Sequence, residues 1–188
     1  MGRKPERKFY LKEFKAISHA ISIYEDLALL MNHLSEGTSR TFEAKGCSIF
    51  LVDDRENQLV HVSTYGISDE YLNKGPLVLN KESCVTCTGE PVLIRDMQKD
   101  PRVQYPEAAA KEGIVSMLSV PIKYHGAVIG VIRVYHAEPW EYHEADIETL
   151  CVLAEQLGVV IENNGLKNFL ERVKMALESL PLRALEGL

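Results

Sequence analysis

Residues 116–136 read SMLSVPIKYHGAVIGVIRVYH, and this stretch predicts the centre of the fold. Two apolar runs flank His125-Gly126, a pair that indicates a tight turn between antiparallel strands. Upstream, CSIFLVDDRENQLVHVSTYG contains a second pair of strand-like runs with the polar DDRENQ between them. Strands joined as hairpins predict an antiparallel sheet.

Helical patterns lie on both sides of these hairpins. Apolar residues recur at three- and four-residue spacing from Phe9 to Leu34, which fits one long helix or two shorter ones. A second long helix is predicted from Ile147 to Leu177. We expect the terminal helices to cover one face of the sheet.

The segment between the hairpins, residues 66–113, is rich in glycine and proline. It contains two short strand candidates, PLVLN and PVLIRD, and one helical patch, YPEAAAKEG. A loop-rich stretch of this length inside a compact domain usually serves a function, such as a lid or a binding loop. We therefore expect a ligand site between this segment and the sheet.

Composition limits the classes of partner. The 188 residues carry a formal net charge of -6, which argues against nucleic acid and against anionic membrane surfaces. No uncharged stretch is long enough to span a bilayer, and no signal-peptide pattern follows the basic N-terminus. Four cysteines in such a chain are expected to stay reduced, so we expect a cytoplasmic protein.

Residues 82–91, ESCVTCTGEP, contain a CxxC motif formed by Cys84 and Cys87. The other two cysteines, Cys47 and Cys151, have no metal-ligand partner nearby in the sequence, so we predict no metal site. Redox chemistry stays open, because Ser83 can cap a short helix whose first turn lowers the pKa of the Cys84 thiol. The simpler interpretation is that both cysteines are small apolar residues under a lid.

Taken in order, four segments resemble the GAF family of small-molecule-sensing domains, from about residue 23 to residue 164. They are CSIFLVDDRENQLVHVSTYG, TGEPVLIRDMQKDPRV, SMLSVPIKYHGAVIGVIRVYH and HEADIETLCVLAEQLGVVIENN. The resemblance implies an α+β, profilin-like fold with a five- to six-stranded antiparallel sheet and helices on both faces. It also implies three parts: a helical extension at 1–22, the GAF domain at 23–164 and a helical extension at 165–188.

The resemblance implies a sensory or regulatory domain in signal transduction rather than an enzyme, but it names no cofactor. His136 and Ala137 replace the Asn-Lys pair of cyclic-nucleotide-binding members, and no Cys-His pair is present to attach a tetrapyrrole. The alternative is a thiol redox switch or an enzyme resembling methionine sulfoxide reductase, using Cys84 and Cys87. Against it, KEGIVSM at 111–117 lacks the cysteine that such reductases carry there.

An unidentified small molecule is the expected ligand. Arg133 lies among the apolar residues of the last strand, where a charge facing a ligand would recognise an anion. The alternative, which the pattern slightly favours, is an edge or outward arginine paired with an acid. His61 faces either the ligand or solvent. The candidate ligand contacts are Phe50, His61, Ser63, Cys84, Cys87, Asp96, Tyr105, Ser116, Leu118 and Arg133.

The terminal helices predict a second kind of partner. Their apolar residues continue past what is needed to cover the sheet, and such a stripe favours pairing with another copy. We expect a homodimer through the terminal helices, with packing of the two helices within one chain as the alternative. We also expect a separate signalling protein to receive the signal.

Overall fold

The computed structural model describes residues 6–23, 26–79 and 85–178, which form six strands and six helices. The strands are β1 (Gly46–Asp53), β2 (Gln58–Tyr65), β3 (Leu77–Val78), β4 (Val92–Ile94), β5 (Ser116–Tyr124) and β6 (Ala127–His136). The helices are α1 (Leu11–Ile23), α2 (Leu27–Thr41), α3 (Asp69–Leu72), α4 (Val85–Thr88), α5 (Pro106–Glu112) and α6 (Glu144–Glu178).

The strands form one antiparallel sheet in the order β3-β2-β1-β6-β5-β4. The predicted β1–β2 and β5–β6 hairpins are both present, and β1 pairs with β6 to join them at the centre. His125 and Gly126 have φ of 48° and 83°, the left-handed conformation that a two-residue hairpin turn requires at both positions. The α+β fold expected from the sequence is confirmed.

Helices α1, α2 and α6 cover one face of the sheet and enclose the largest apolar core. Side chains that alternate along the strands, including Ile49, Leu118 and Val134, pack there against helix residues such as Leu30 and Leu157. The residues from α3 to α5 cover the opposite face in two smaller clusters. Each face is therefore buried against a helical layer, which an antiparallel sheet with apolar residues on both sides requires.

The N-terminal region contains two helices, which settles the alternative that the sequence left open. Asp26 caps the start of α2, where its side chain accepts a hydrogen bond from the Leu29 amide at 3.0 Å. Before α1, the amides of Lys8 and Phe9 donate to the buried carboxylate of Asp146 at 2.6 and 2.9 Å. These bonds tie the start of the described chain to the first turn of α6.

Helix α6 is 35 residues long, and its two halves have different surroundings. The first half packs on the sheet, whereas residues 165–175 are all exposed. Within residues 6–23, 26–79 and 85–178, neither α6 nor another helix combines the length and the apolar character needed to cross a membrane.

Candidate functional site

A small cavity of about 40 Å³ lies between the sheet and the 66–113 segment. This volume corresponds to roughly three water-sized spheres. Met117 of β5 and Arg133 of β6 form its floor. The remaining lining comes from the segment itself: Tyr71, Lys74, Leu77, Met97, Arg102, Val103, Gln104 and Tyr105.

The position of Arg133 follows from strand periodicity. Val131, Arg133 and Tyr135 alternate along β6, so they share the face that the 66–113 segment covers. The Arg133 guanidinium lies over the Phe50 ring, 5.2 Å from its centroid. Its Nε atom is buried and has no hydrogen-bond partner within the described part of the chain. Buried polar groups normally have a partner, so this nitrogen marks a position where a ligand acceptor can bind.

Lys74 brings a second cation to the same cavity. Its ammonium lies 3.8 Å from the centroid of the Tyr71 ring and donates to the Tyr71 carbonyl at 3.0 Å. Burial, together with the nearby Arg133 charge, lowers the pKa of Lys74 to about 8, although Glu112 acts in the opposite direction. Two like charges therefore lie at one small space, and none of the described ion pairs involves either of them.

A larger open groove adjoins the cavity. Its volume is about 340 Å³, and its walls include Glu70, Lys111 and Glu112. Tyr71 and Lys74 line both spaces, so their side chains form the wall between the groove and the cavity. A displacement of these two side chains would join the two spaces.

Four of the predicted ligand contacts lie at or next to the cavity. Tyr105 and Arg133 line it, and the Tyr105 hydroxyl donates to the Pro76 carbonyl at 2.8 Å. Phe50 lies under Arg133, and the His61 ring packs edge-on against Phe50 with centroids 5.6 Å apart. Burial against these neighbours lowers the pKa of the otherwise exposed His61, and the Lys74 charge lowers it further.

Three predicted contacts lie elsewhere in the sheet. Ser63 faces α2, where its hydroxyl donates to the Asn32 side chain at 2.8 Å and lies 2.9 Å from the Ser35 hydroxyl. Leu118 belongs to the core beneath the terminal helices. The Ser116 hydroxyl donates to the Glu138 carbonyl at 2.7 Å.

A β-bulge explains the position of Ser63. Ser63 pairs with Ile49 and His61 pairs with Phe50, so Val62 has no opposite residue in β1. Two residues that are two apart on a regular strand share a face, but the bulge places Ser63 and His61 on opposite faces. The sequence pattern does not reveal such a bulge.

The remaining candidates are Asp96 and the two cysteines of the CxxC motif. Asp96 forms a surface turn, where it pairs with Lys99 at 2.9 Å. Cys84 and its proposed cap Ser83 lie outside the described residues. Cys87 is exposed in α4 and does not belong to the cavity lining described above.

Cys47 and Cys151, the two cysteines outside the CxxC motif, are poorly suited to thiol chemistry. Burial raises the pKa of Cys47 far above its usual range and that of Cys151 to about 11, which disfavours the reactive thiolate. In the described ranges, no cluster of three or more His, Cys, Asp or Glu side chains could hold a metal ion.

Sequence reasoning missed several residues of the cavity wall. Tyr71 lies in the one-turn helix α3 and Lys74 lies just after it, and no sequence motif marks either residue. Met117 could have been found as the neighbour of Leu118 on the opposite face. Because β5 is apolar on both faces, its pattern does not say which of these two residues points to the ligand side.

The segment that begins with His136 and Ala137, which replace the Asn-Lys pair of cyclic-nucleotide-binding members, is a packed aromatic cluster. His136 stacks on Trp140 with ring centroids 4.2 Å apart, and its Nε2 lies 2.8 Å from the Tyr142 hydroxyl. Burial lowers the pKa of His136 to about 4, so the ring is neutral near pH 7. These groups fill their own space and present no binding site.

Comparisons with known proteins agree with this architecture. The family model for the GAF domain matches residues 26–161. The GAF domain of an Acinetobacter phosphoenolpyruvate-protein phosphotransferase is 25% identical with a TM-score of 0.69, and the match covers 81% of this chain and 92% of that one. The corresponding domain from Coxiella burnetii is 22% identical with a TM-score of 0.74, covering 84% of this chain and 95% of that one.

Among the similar structures is also an enzyme. Free methionine-R-sulfoxide reductase from Neisseria meningitidis is 18% identical with a TM-score of 0.69, covering 88% of this chain and 99% of that one. Identity at that level shows a common fold and no more. No curated protein sequence matches the chain significantly. Because the family model spans most of the chain and solved GAF domains share its fold, this protein belongs to the GAF domain family.

Proposed function

We propose that this chain is a sensory or regulatory domain that binds a small ligand between the sheet and the 66–113 segment. GAF domains are generally small-molecule-binding regulatory domains. The observation that carries the proposal is the unpartnered Nε of Arg133 at the cavity wall. No described thiol lines the cavity, which favours ligand binding over thiol chemistry at this site.

The same sheet gives a route from the ligand to the terminal helices. On β5, Met117 faces the cavity and the next residue, Leu118, faces the core under α6. A ligand that moves Met117 therefore moves a strand on which α6 rests directly. We propose that binding shifts the packing of α6, which reports the occupied state.

The exposed half of α6 supports the proposal that the protein transmits this signal as a homodimer. Leu166, Phe169, Leu170 and Val173 recur at helical spacing, and the first three are 55–64% exposed. We propose that two copies pair through their terminal extensions, 1–22 and 165–188, around the GAF domain at 23–164. Residues 1–5 and 179–188 of these extensions lie outside the described residues. The dimer would act in the cytoplasm on a separate signalling protein.

A cavity-filling substitution tests the ligand site. Val103→Phe adds a volume comparable to the cavity, whereas Val78→Phe changes an exposed residue of the same segment that does not line it. We expect at least one compound from a library of common metabolites to raise the melting temperature of the wild type and of Val78→Phe. Val103→Phe should lose that shift. Equal shifts in all three proteins, or no shift with any compound, contradict the proposal.

A further inference from the structure

We infer that the cavity is a carboxylate site in which Arg133 and Lys74 bind one carboxylate group of an organic acid. This inference rests on the proposed function and names its ligand class. The rest of the ligand would extend past Tyr71 and Lys74 into the adjoining groove.

The first argument is the lack of a protein counterion. Throughout the described residues, no carboxylate oxygen lies within 4.0 Å of a side-chain nitrogen of Arg133 or Lys74. The nearby acid, Glu112, accepts a hydrogen bond from the Ser68 amide at 3.1 Å and lies 3.8 Å from Lys45. Two cations without an acid repel each other, and a bound anion removes that repulsion.

The second argument is that Gln104, Arg102 and Tyr105, three other polar residues of the cavity lining, already have hydrogen-bond partners. The Gln104 side chain donates to the Val78 carbonyl at 2.6 Å and accepts from the Val78 amide at 3.0 Å. Arg102 forms two hydrogen bonds with Asp100, and the Tyr105 hydroxyl donates to a backbone carbonyl. The cationic donors that these contacts leave for a ligand are the Arg133 Nε and the two N–H groups of Lys74 that do not donate to the Tyr71 carbonyl.

The third argument is size. A space for roughly three water-sized spheres accepts the three heavy atoms of a carboxylate and is small for the five of a phosphate or sulfate. The guanidinium fork matches the two oxygens of a carboxylate. Leu77, Met97 and Met117 supply the apolar part of the lining, and an ionic contact beside apolar groups is stronger than one in bulk water.

The experiment compares charged and uncharged ligands of one shape. Acetate and acetamide are titrated against the full chain at constant ionic strength and pH 7, with inorganic phosphate and sulfate as larger anions, and melting temperature and calorimetric heat are recorded. We expect acetate to bind and stabilise, acetamide to have no effect, and phosphate and sulfate to bind more weakly than acetate. Binding of all three anions with equal strength would instead indicate nonspecific attraction and overturn the inference.

Two variants test whether Arg133 and Lys74 both contact the carboxylate. Arg133→Met should weaken acetate binding by about 10- to 100-fold, the usual effect of losing a hydrogen bond to a charged group. Lys74→Met should weaken it in the same direction, which keeps the test valid if one variant folds poorly. Arg95→Met is the control, because Arg95 is exposed and lies outside the cavity lining.

The outcomes separate this inference from the proposed function. If an uncharged metabolite stabilises the protein, and Val103→Phe but not Arg133→Met removes the effect, the ligand site stands and the carboxylate assignment is wrong. If acetate binds the wild type and Arg133→Met equally, the assignment is also wrong. If neither acetate nor any metabolite binds, both proposals fail.

Discussion

Lys74 and Arg133 place like charges at one small cavity, and burial, together with the repulsion between them, makes it easier for Lys74 to lose its proton. Burial and the Arg133 charge bring the pKa of Lys74 from 10.5 to about 8. The groups around it come from four elements: Arg133 of β6, His61 of β2, Glu112 of α5 and Tyr71 of α3, the short helix that precedes Lys74. Because its pKa is lowered, Lys74 loses its proton within an accessible pH range.

We predict that acetate affinity falls as pH rises from 7 to 9.5. Lys74 is charged below about pH 8 and becomes neutral above it, so the anion loses one of its two cationic contacts. Calorimetry at constant ionic strength measures the change. His61 does not contribute, because burial lowers its pKa and it stays neutral over this range.

Lys74→Met is the matched control for the pH dependence. Its acetate affinity should be weaker than that of the wild type at pH 7 and nearly constant up to pH 9.5. An equal decline in both proteins would assign the pH dependence to a different group.

At this scale, the sequence predicts part of the site. Arg133 and Tyr105 were recognisable from a charge inside an apolar strand and an aromatic residue in a loop-rich segment, and both line the cavity. Ser63, a predicted contact two residues from His61, lies on the other face because of the bulge at Val62. Lys74 gains its significance only from tertiary neighbours, which no local pattern encodes.

Among the elements, the contact between α6 and β5 depends on Gly158. A Cβ built at this position would lie 2.1 Å from the Lys123 carbonyl oxygen, which belongs to the backbone of β5. Real Cβ atoms do not approach backbone oxygen this closely, so glycine is what allows the helix to lie so near the strand. Gly165, two turns further along the same helix, has no atom within 4 Å of its Cβ position.

We predict opposite effects for alanine at these two glycines. Gly158→Ala should lower the free energy of unfolding by about 1–3 kcal/mol, because the methyl group forces α6 away from β5. Gly165→Ala should raise helix stability by up to about 1 kcal/mol, because alanine has the higher helix propensity. Urea denaturation of both variants and the wild type measures the difference. A stabilising Gly158→Ala would show that α6 is not tightly packed on β5.

The elements with strong local signals were predictable. Both hairpins follow from alternating apolar runs around turn residues, and His125-Gly126 adopts the expected left-handed conformation. The sequence did not decide whether α1 and α2 are one helix or two, because the apolar spacing continues from one helix into the next. Apolar periodicity indicates which side of a helix is buried, but it does not indicate whether the helix is continuous or divided into two.

For the whole molecule, we predict that the exposed half of α6 holds two copies together. Leu170→Lys places a charge in the apolar stripe and should weaken the dimer by about tenfold or more, since a buried leucine contributes about 1.5–3 kcal/mol. Analytical ultracentrifugation over a concentration series measures this. Glu171→Lys is the control, because residue 171 lies on another side of the helix. A wild-type chain that is monomeric at every concentration would contradict the dimer.

The fold of the whole chain could be predicted from the sequence, because the order of the hairpins and the positions of the helices indicate the same architecture. The shape of the cavity could not be predicted from the sequence. It depends on how Tyr71, Lys74 and Tyr105 pack across a segment with little regular structure. Such packing is set by contacts between residues distant in sequence, which a local pattern does not contain.

The length of α6 has a mechanical consequence. The 17 residues after Ile161 (162–178) extend for about 25 Å at roughly 1.5 Å per residue, with no described layer packed over residues 165–175. The end of the helix lies about 30 Å from Gly158, so a tilt of about 10° at the Gly158 contact would displace it by about 5 Å. In the proposed mechanism α6 pivots on β5, so a displacement of less than an ångström at the cavity would become a change of several ångströms at the far end of the helix.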